Sequence, residues 1–414
     1  MILARLALRN LLRQRRRTAL TLMVVVAGFV ALSLAGGFMA QTFQGLADGA
    51  IRGGLGDLQV LPPGHRDGDE RQSLERSLPD GEALAAQLRR DPAVAEVLPR
   101  TQFMGLISSG PQSVAFLGTA VDPLREPRFM ACLDALKDGA KAPGGAGSRW
   151  LSADPGAREV ILGTGLARAL GASVGSSLTL MSTTKAGALN GVDVSVVGLQ
   201  DLGLKELNDR SLTVSLATAG QLLEAGPARS ALSIVLRHPG AAAQEAIRLQ
   251  ALLPGTRVRP WFKLATFYRQ VKLLYIAIFG FMGLVLFLVV LLATVNTLLM
   301  SVLERIREFG VLRALGLQSR QLLSLLQWEG AFLGLLGSGL GLTATLLLRA
   351  GLNALHLRMP APPGTSHGYE LDIHFVPLVY VAVALGLQVT IQLSALFPGL
   401  KAARLRVVEA LRHV

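Results

Sequence analysis

This chain of 414 residues has a single cysteine, Cys132, and aromatic residues make up only 5% of it. One cysteine forms no disulfide within the chain, so no part of the protein is stapled and every domain must hold on its own apolar core. Cys132 itself is expected as a small, buried apolar residue. The sequence contains no Gly-x-x-x-x-Gly-Lys-Ser/Thr run, which excludes a phosphate-cradling loop and an ATPase of its own. It contains no His-Glu-x-x-His and no Gly-x-Ser-x-Gly. Gly163-Thr-Gly165 reads as a turn between a strand and a helix. The six histidines are scattered, and His356, His367 and His374 share one loop at spacings that match no standard ligand set. Ser108 and Ser109 have no evident catalytic partners. No metal or cofactor is expected in this chain.

Long apolar runs are what the chain does have. Four segments, 18–40, 273–300, 322–348 and 376–397, each exceed the roughly 20 residues that an α-helix needs to cross about 30 Å of hydrocarbon. Basic residues flank them on one side. Arg5, Arg9, Arg13, Arg15, Arg16 and Arg17 precede the first, Arg305, Arg307, Arg313 and Arg320 lie between the second and third, and Lys401, Arg404, Arg406 and Arg412 follow the fourth. Lys and Arg collect in cytoplasmic loops. Both termini and the 301–321 loop are therefore expected inside, with 41–271 and 349–375 outside. This pattern accounts for most of the net charge of +13. A nucleic-acid partner is not expected, because no nucleic-acid module accompanies the charge. Residues 1–40 resemble a secretory signal, but the apolar run is too long and the small residues at 35–37 make a poor cleavage site, so an uncleaved helix is expected.

The expected fold class is an α-helical membrane protein with four transmembrane helices, one plus three, and a large mixed α/β domain inserted between the first and second. The division reads as follows: 1–17 a cytoplasmic amphipathic segment, 18–40 the first span, 41–271 the external domain in two subdomains, 272–300 the second span and 301–321 a cytoplasmic helix. Then come 322–348 the third span, 349–375 an outer loop, 376–397 the fourth span and 398–414 a cytoplasmic tail. The second span is long enough to project beyond the bilayer as a stalk. Strands are expected at 57–61, 94–98, within 105–119 on either side of a Ser-Ser-Gly-Pro turn at 108–111, and at 159–162, 177–181, 192–199, 214–216 and 233–236, with helices at 81–90 and 164–170. The Gly- and Pro-rich run 137–148 reads as a flexible loop between the subdomains.

Three local patterns bear on function. In Glu304-Arg-Ile-Arg-Glu-Phe-Gly-Val-Leu-Arg-Ala-Leu-Gly316, helical spacing sets Val302, Ile306, Phe309, Leu312 and Leu315 in one apolar stripe, with Gly316 as C-cap and Ser319 as the next N-cap. Such a helix either rests on lipid headgroups or docks on a cytoplasmic partner. Gly330, Gly334, Gly337 and Gly341 lie four apart in pairs on the third span and let helices approach closely, within one subunit or between two. Pro360, Pro362, Pro363 and Gly364, with Tyr369, stiffen the outer loop, which is either a plain connector or a gate to lateral access from the outer leaflet. No Asp, Lys or Arg lies mid-membrane, which counts against an ion-coupled transporter.

Residues 304–341 resemble the signature of the FtsX-like permease domain of MacB- and LolC/LolE-type ABC transporters. The segments Leu6–Arg13, Glu159–Gly171, Val194–Gly198 and Phe397–Arg412 resemble that family's N-terminal segment, periplasmic core domain and tail. The resemblance implies a permease subunit of the inner membrane that dimerises, with itself or with a related chain, and recruits two copies of a separate ATP-binding cassette subunit. ATP and Mg would be bound by that partner. It implies a coupling helix comprising Glu304, Arg305, Ile306, Arg307, Glu308, Phe309, Gly310, Leu312, Arg313, Leu315 and Gly316. Its apolar stripe would meet the cassette, and Arg305, Glu308 and Arg313 would make polar contacts. The external domain would then move a lipoprotein, lipid or amphiphile with the help of membrane lipid and a periplasmic carrier or membrane-fusion protein. An FtsX-like scaffold that activates a cell-wall hydrolase without transport is the alternative.

Overall fold

The computed structural model describes residues 2–13, 15–64, 77–226, 228–360 and 368–403. In chain order, helix α1 (Ile2–Arg13) and helix α2 (Arg15–Ala50) come first, and α2 ends in a π-helical turn, Ile51–Leu55. There follow β1 (Leu58–Leu61), α3 (Gly81–Leu88), β2 (Val94–Ser108), β3 (Ser113–Val121), α4 (Glu126–Phe129) and α5 (Cys132–Gly139). Next are β4 (Glu159–Gly163), α6 (Thr164–Leu170), β5 (Ser177–Thr183), β6 (Leu189–Gln200), α7 (Lys205–Asn208), β7 (Ser211–Ser215) and α8 (Leu216–Leu223). The α/β part closes with β8 (Ala231–Leu236), α9 (Ala242–Leu252), β9 (Arg257–Pro260) and α10 (Trp261–Leu264). Then come α11 (Thr266–Glu304), α12 (Ile306–Ala314), α13 (Ser319–Ala354) and α14 (Pro377–Ala403).

The chain forms two units. One comprises Met1–Phe43, Lys272–Arg358 and Glu370–Val414, the other Gln44–Val271 with Met359–Tyr369. The division thus falls within α2 and within α11.

The α/β unit holds two cores. Strands β9, β1, β8 and the first half of β2 form an antiparallel sheet in that order, with α3 between β1 and β2 and α9 between β8 and β9. This is the split βαβ arrangement. Leu58, Val60, Val97, Leu232 and Ile234 from the strands meet Ala85, Leu88, Ala246 and Leu249 from the helices. Between β2 and β8 the chain inserts a second body. Strands β2, β3, β7, β4, β6 and β5 close on themselves, since the second half of β2 pairs with β3 along one edge and with β5 along the other. A closed ring leaves no free edge to aggregate. Its interior is filled by Phe103, Phe116, Leu162, Leu180, Val194 and Leu212, with α6 and α8 contributing Leu166 and Leu222. Phe103 and Phe116 meet edge to face at 5.5 Å.

The single strand β2 therefore belongs to both bodies. Arg100 still pairs with β8, opposite Ala231, and Thr101 already pairs with β3, opposite Ala120. The 137–148 run is not the boundary. It is pinned in place: the Gly144 carbonyl accepts from Val174 N–H at 3.0 Å, and Ser148 Oγ accepts from Leu199 N–H of β6 at 3.0 Å. A Cβ on Gly145 would meet the Gly139 carbonyl, so this glycine serves close packing. Cys132 is half-buried, and loss of solvent pushes its thiol up to about 11.

Several carboxylates of this unit are held in ion pairs. Hydrogen bonds from Arg248, at 2.7 Å and 2.9 Å, keep the Asp91 carboxyl below its usual range. A carboxyl depressed in the folded state stabilises it above its unfolded pKa and loses that contribution as pH falls through the folded value. Arg248→Ala should therefore raise the pH at which the chain unfolds in acid, read by circular dichroism.

In the other unit, α2, α11, α13 and α14 are long and apolar enough to cross a membrane. Four glycines of α13 make close contacts with the chain's own helices. Gly330 faces Ile391 and Ala395 of α14, and Gly334 faces the end of the Gln388 side chain. Gly337 and Gly341 face α2, where an added Cβ would lie 2.5 Å from Val25 Cγ1 and 2.7 Å from Phe29 Cβ. Overfilling such contacts costs about 1–3 kcal/mol. Gly341→Val should lower the thermal unfolding midpoint of the detergent-solubilised chain, whereas Gly339→Val, with nothing within 4 Å, should not.

Candidate coupling site

The 304–316 segment is less simple than one amphipathic helix. The chain leaves helical geometry at Arg305, with φ −111° and ψ 15°, and re-enters it at Ile306, so α11 and α12 meet at a corner. After α12, Gly316 adopts φ +100°, which a residue with a Cβ rarely takes, and Leu317 N–H closes the helix end onto the Leu312 carbonyl at 3.0 Å. The next helix is capped by Gln318 rather than Ser319, and the Gln321 side chain accepts from Gln318 N–H at 2.9 Å.

The apolar stripe faces inward. Val302, Ile306 and Phe309 are buried and Gly310 with them. Val302 and Phe309 share a core with Ala7 of α1, Leu322, Leu325 and Leu326 of α13, and Ala402 of α14, with Leu312 at its edge. Val302, Ile306 and Phe309 of the expected stripe are thus covered by the chain's own helices, whereas Leu315, its last member, lies outside this core and is exposed. What α12 and its C-terminal cap present outward is Arg307, Glu308, Val311, Ala314, Leu315 and Gly316. Val311 is 45% exposed and Leu315 79% exposed, large values for aliphatic residues beside charged ones.

Behind this face lies a network of ionic groups that sequence reasoning did not find. Arg305 is buried and so cannot be a docking contact. Its guanidinium donates to Glu308 Oε2 at 2.9 Å and to Glu329 Oε1 at 3.2 Å, and stands 5.0 Å over the Phe309 ring. Glu329, buried three turns into α13, also accepts from Asn10 of α1 at 2.7 Å. Glu308 accepts from Arg13 of α1 at 2.5 Å. The hydrogen bond from Arg13, and then that from Arg305, hold the Glu308 carboxyl below its usual range. Glu304 is held twice by Arg17, once at 2.7 Å and once more closely. Beside Glu329 a cavity of about 20 Å³, lined by Asn10, Thr18, Thr297 and Ser301 among others, has room for one water. Arg313 is half-buried at the edge of the outward face. The one clue in the sequence was Glu329 itself, an acid within an otherwise apolar helix.

Among the described residues no group of three His, Cys, Asp or Glu side chains can hold a metal ion. His356 is exposed, His374 approaches Asp372 at 3.6 Å, and His367 lies outside the described residues. Of the loop residues expected to gate lateral access, Pro360 is exposed. Pro362, Pro363, Gly364 and the Tyr369 side chain lie outside the described residues.

Comparison with known proteins bears on the family of the chain. The model of the FtsX-like permease C-terminal domain matches residues 280–407, and that of the MacB-like periplasmic core domain matches residues 18–251. The lipoprotein-releasing system transmembrane protein LolC of Neisseria meningitidis serogroup B is 27% identical over 282 residues, which is 63% of this chain and 66% of that one. The LolC of Xylella fastidiosa is 24% identical over 353 residues, 81% of each chain. The periplasmic region of MacB from Actinobacillus actinomycetemcomitans covers 54% of this chain and 95% of its own, at 14% identity and a TM-score of 0.35. The matched stretch spans just under two thirds of the Neisseria relative. Family models that together take in the α/β unit and the C-terminal membrane helices identify the chain as an ABC transporter permease of the MacB/LolC family, with an FtsX-like membrane part and a MacB-like periplasmic core domain.

Proposed function

We propose that this chain is the membrane subunit that relays ATP hydrolysis, performed by a separate ATP-binding subunit, to its periplasmic core domain. Both termini and α12 would face the cytoplasm, in keeping with the Arg clusters around α1, α12 and the tail. The observation that carries the reading is the outward face of α12: Arg307, Val311 and Leu315 stand clear of the chain on a helix whose other side is fixed by burial. A pair of exposed aliphatic side chains toward the C-terminal end of α12, with a cation on the same helix, suits an apolar groove with an acidic rim on the partner. ATP and Mg would bind there, on two copies of the partner serving two copies of this permease or a related one. Helices α2 and α11, of 36 and 39 residues, are about 54 and 58 Å long and would serve as rigid rods for the motion.

The cargo class that fits is a lipoprotein, lipid or other amphiphile, taken from the outer leaflet and passed to a periplasmic carrier or membrane-fusion protein. The relatives that bear the name of a lipoprotein-releasing system favour transport over signalling to a cell-wall hydrolase. Co-expression of the full chain with a separately encoded ATP-binding subunit tests the proposal. The two should co-purify and hydrolyse ATP in nanodiscs. A chain that retains no ATP-binding subunit in native membranes contradicts it.

A further inference from the structure

One carboxylate, Glu329, joins three parts of the membrane unit. It takes a hydrogen bond from Asn10 on α1 at 2.7 Å and an ion pair from Arg305, at the corner between α11 and α12, at 3.2 Å, and it sits itself on α13. Arg305 completes the link by reaching Glu308 on α12, and Glu308 returns to α1 through Arg13. Arg305 is 7% exposed and Glu329 2%. Burying such a pair costs desolvation that apolar residues of the same volume would avoid, so stability alone is a poor reason for its presence. What a buried, directional pair does provide is one relative position of the elements it joins, because removing either partner strands the other charge in the interior. Arg305 supplies a rigid planar fork that fixes the directions of its bonds to two carboxylates, whereas the ammonium of a lysine sits on a flexible stem and fixes neither.

We propose that Arg305 and Glu329 form a lock that makes α1, α12 and the first turns of α13 a single rigid block, so that a displacement imposed on α12 is delivered to α13. Arg305 and Glu329 are positioning residues and touch no partner. The role rests on α12 being the docking element, and the test separates the two ideas. Spin labels replace Arg307, on the exposed face of α12, and Leu347, 75% exposed on α13, in a Cys132→Ser background. The full chain in nanodiscs should give one narrow distance distribution. Glu329→Gln, which keeps a carbonyl for Asn10 and loses the charge, should broaden it at least twofold. Arg305→Lys should do the same, and serves where Glu329→Gln fails to fold.

With the ATP-binding subunit bound and the nucleotide trapped by vanadate, the distance in the otherwise native chain should not change. In Glu329→Gln it should shift, since α12 then follows the partner while α13 stays. Without labels, Glu329→Gln and Arg305→Lys leave the outward face untouched, so the affinity of these unlabelled variants for the partner should remain within about twofold of the native chain. Distributions equally narrow in the native chain and both variants overturn the lock. A native chain that binds no ATP-binding subunit overturns the relay, while the distances still decide the lock.

Discussion

Leu315→Asp will release the ATP-binding subunit while leaving the permease as stable as before. Leu315 is 79% exposed, so a charge there meets water in the free chain and costs nothing to its fold. In a docked complex the same charge is carried into an apolar contact. Apolar anchors at the centre of an interface are worth about 2 kcal/mol or more, or roughly 30-fold in affinity. Val311→Asp should act in the same direction. Phe309→Ala is the counterpart. Phe309 is 1% exposed within the core shared by α1, α13 and α14, so it should lower the unfolding midpoint by an amount equivalent to about 3–5 kcal/mol. Measuring the unfolding midpoint and partner affinity for both variants separates the two faces. Glu308 is less informative, because reversing its charge breaks the chain's own pairs to Arg13 and Arg305.

Glu126→Ala will destabilise the α/β unit more than any exposed charge change. Arg100 and Glu126 pair closely, 7% and 2% exposed, at the residue where β2 passes from the four-stranded sheet to the closed ring. The Arg100 carbonyl accepts from Ser230 N–H at 3.0 Å. Its guanidinium occupies the space beside Gly54, whose φ of +134° turns the chain out of the π-helical end of α2. Burial pulls Arg100 down to about 10, so it stays charged at neutral pH. Removing its partner strands that charge, a loss of about 3–5 kcal/mol. The double variant Arg100→Met with Glu126→Leu should recover most of it, because no charge then remains to be desolvated. Chemical denaturation of all three proteins checks the order. A single variant as stable as the native chain would mean that water reaches Arg100.

Much of the architecture could be read from local pattern. β4, α6 and Gly171 fall where spacing places them, with Gly171 at φ +63°. The join between the two bodies could not be read that way. β2 is a continuous 15-residue strand, and nothing in its alternation marks Arg100 as the point where its neighbours change. The Gly-rich run 137–148 looked like a hinge because its glycines have two uses in sequence, freedom and close packing, and only the fold shows which applies. The site divides in the same way. Periodicity located the helix near 306–314 and its stripe, but a stripe states which face is apolar and not what covers it. Here the following helix, α13, and α1 and α14, both distant in sequence, cover it. The Arg305–Glu329 pair spans 24 residues and a helix corner, beyond the reach of any local rule.

The most direct test of the whole account is ATP turnover in nanodiscs by the full chain alone, with its ATP-binding subunit, and with that subunit after Leu315→Asp. The account predicts no hydrolysis by the chain alone, hydrolysis by the pair, and loss of the permease's effect on turnover in the variant. Hydrolysis by the chain alone, or turnover indifferent to Leu315→Asp, would contradict it.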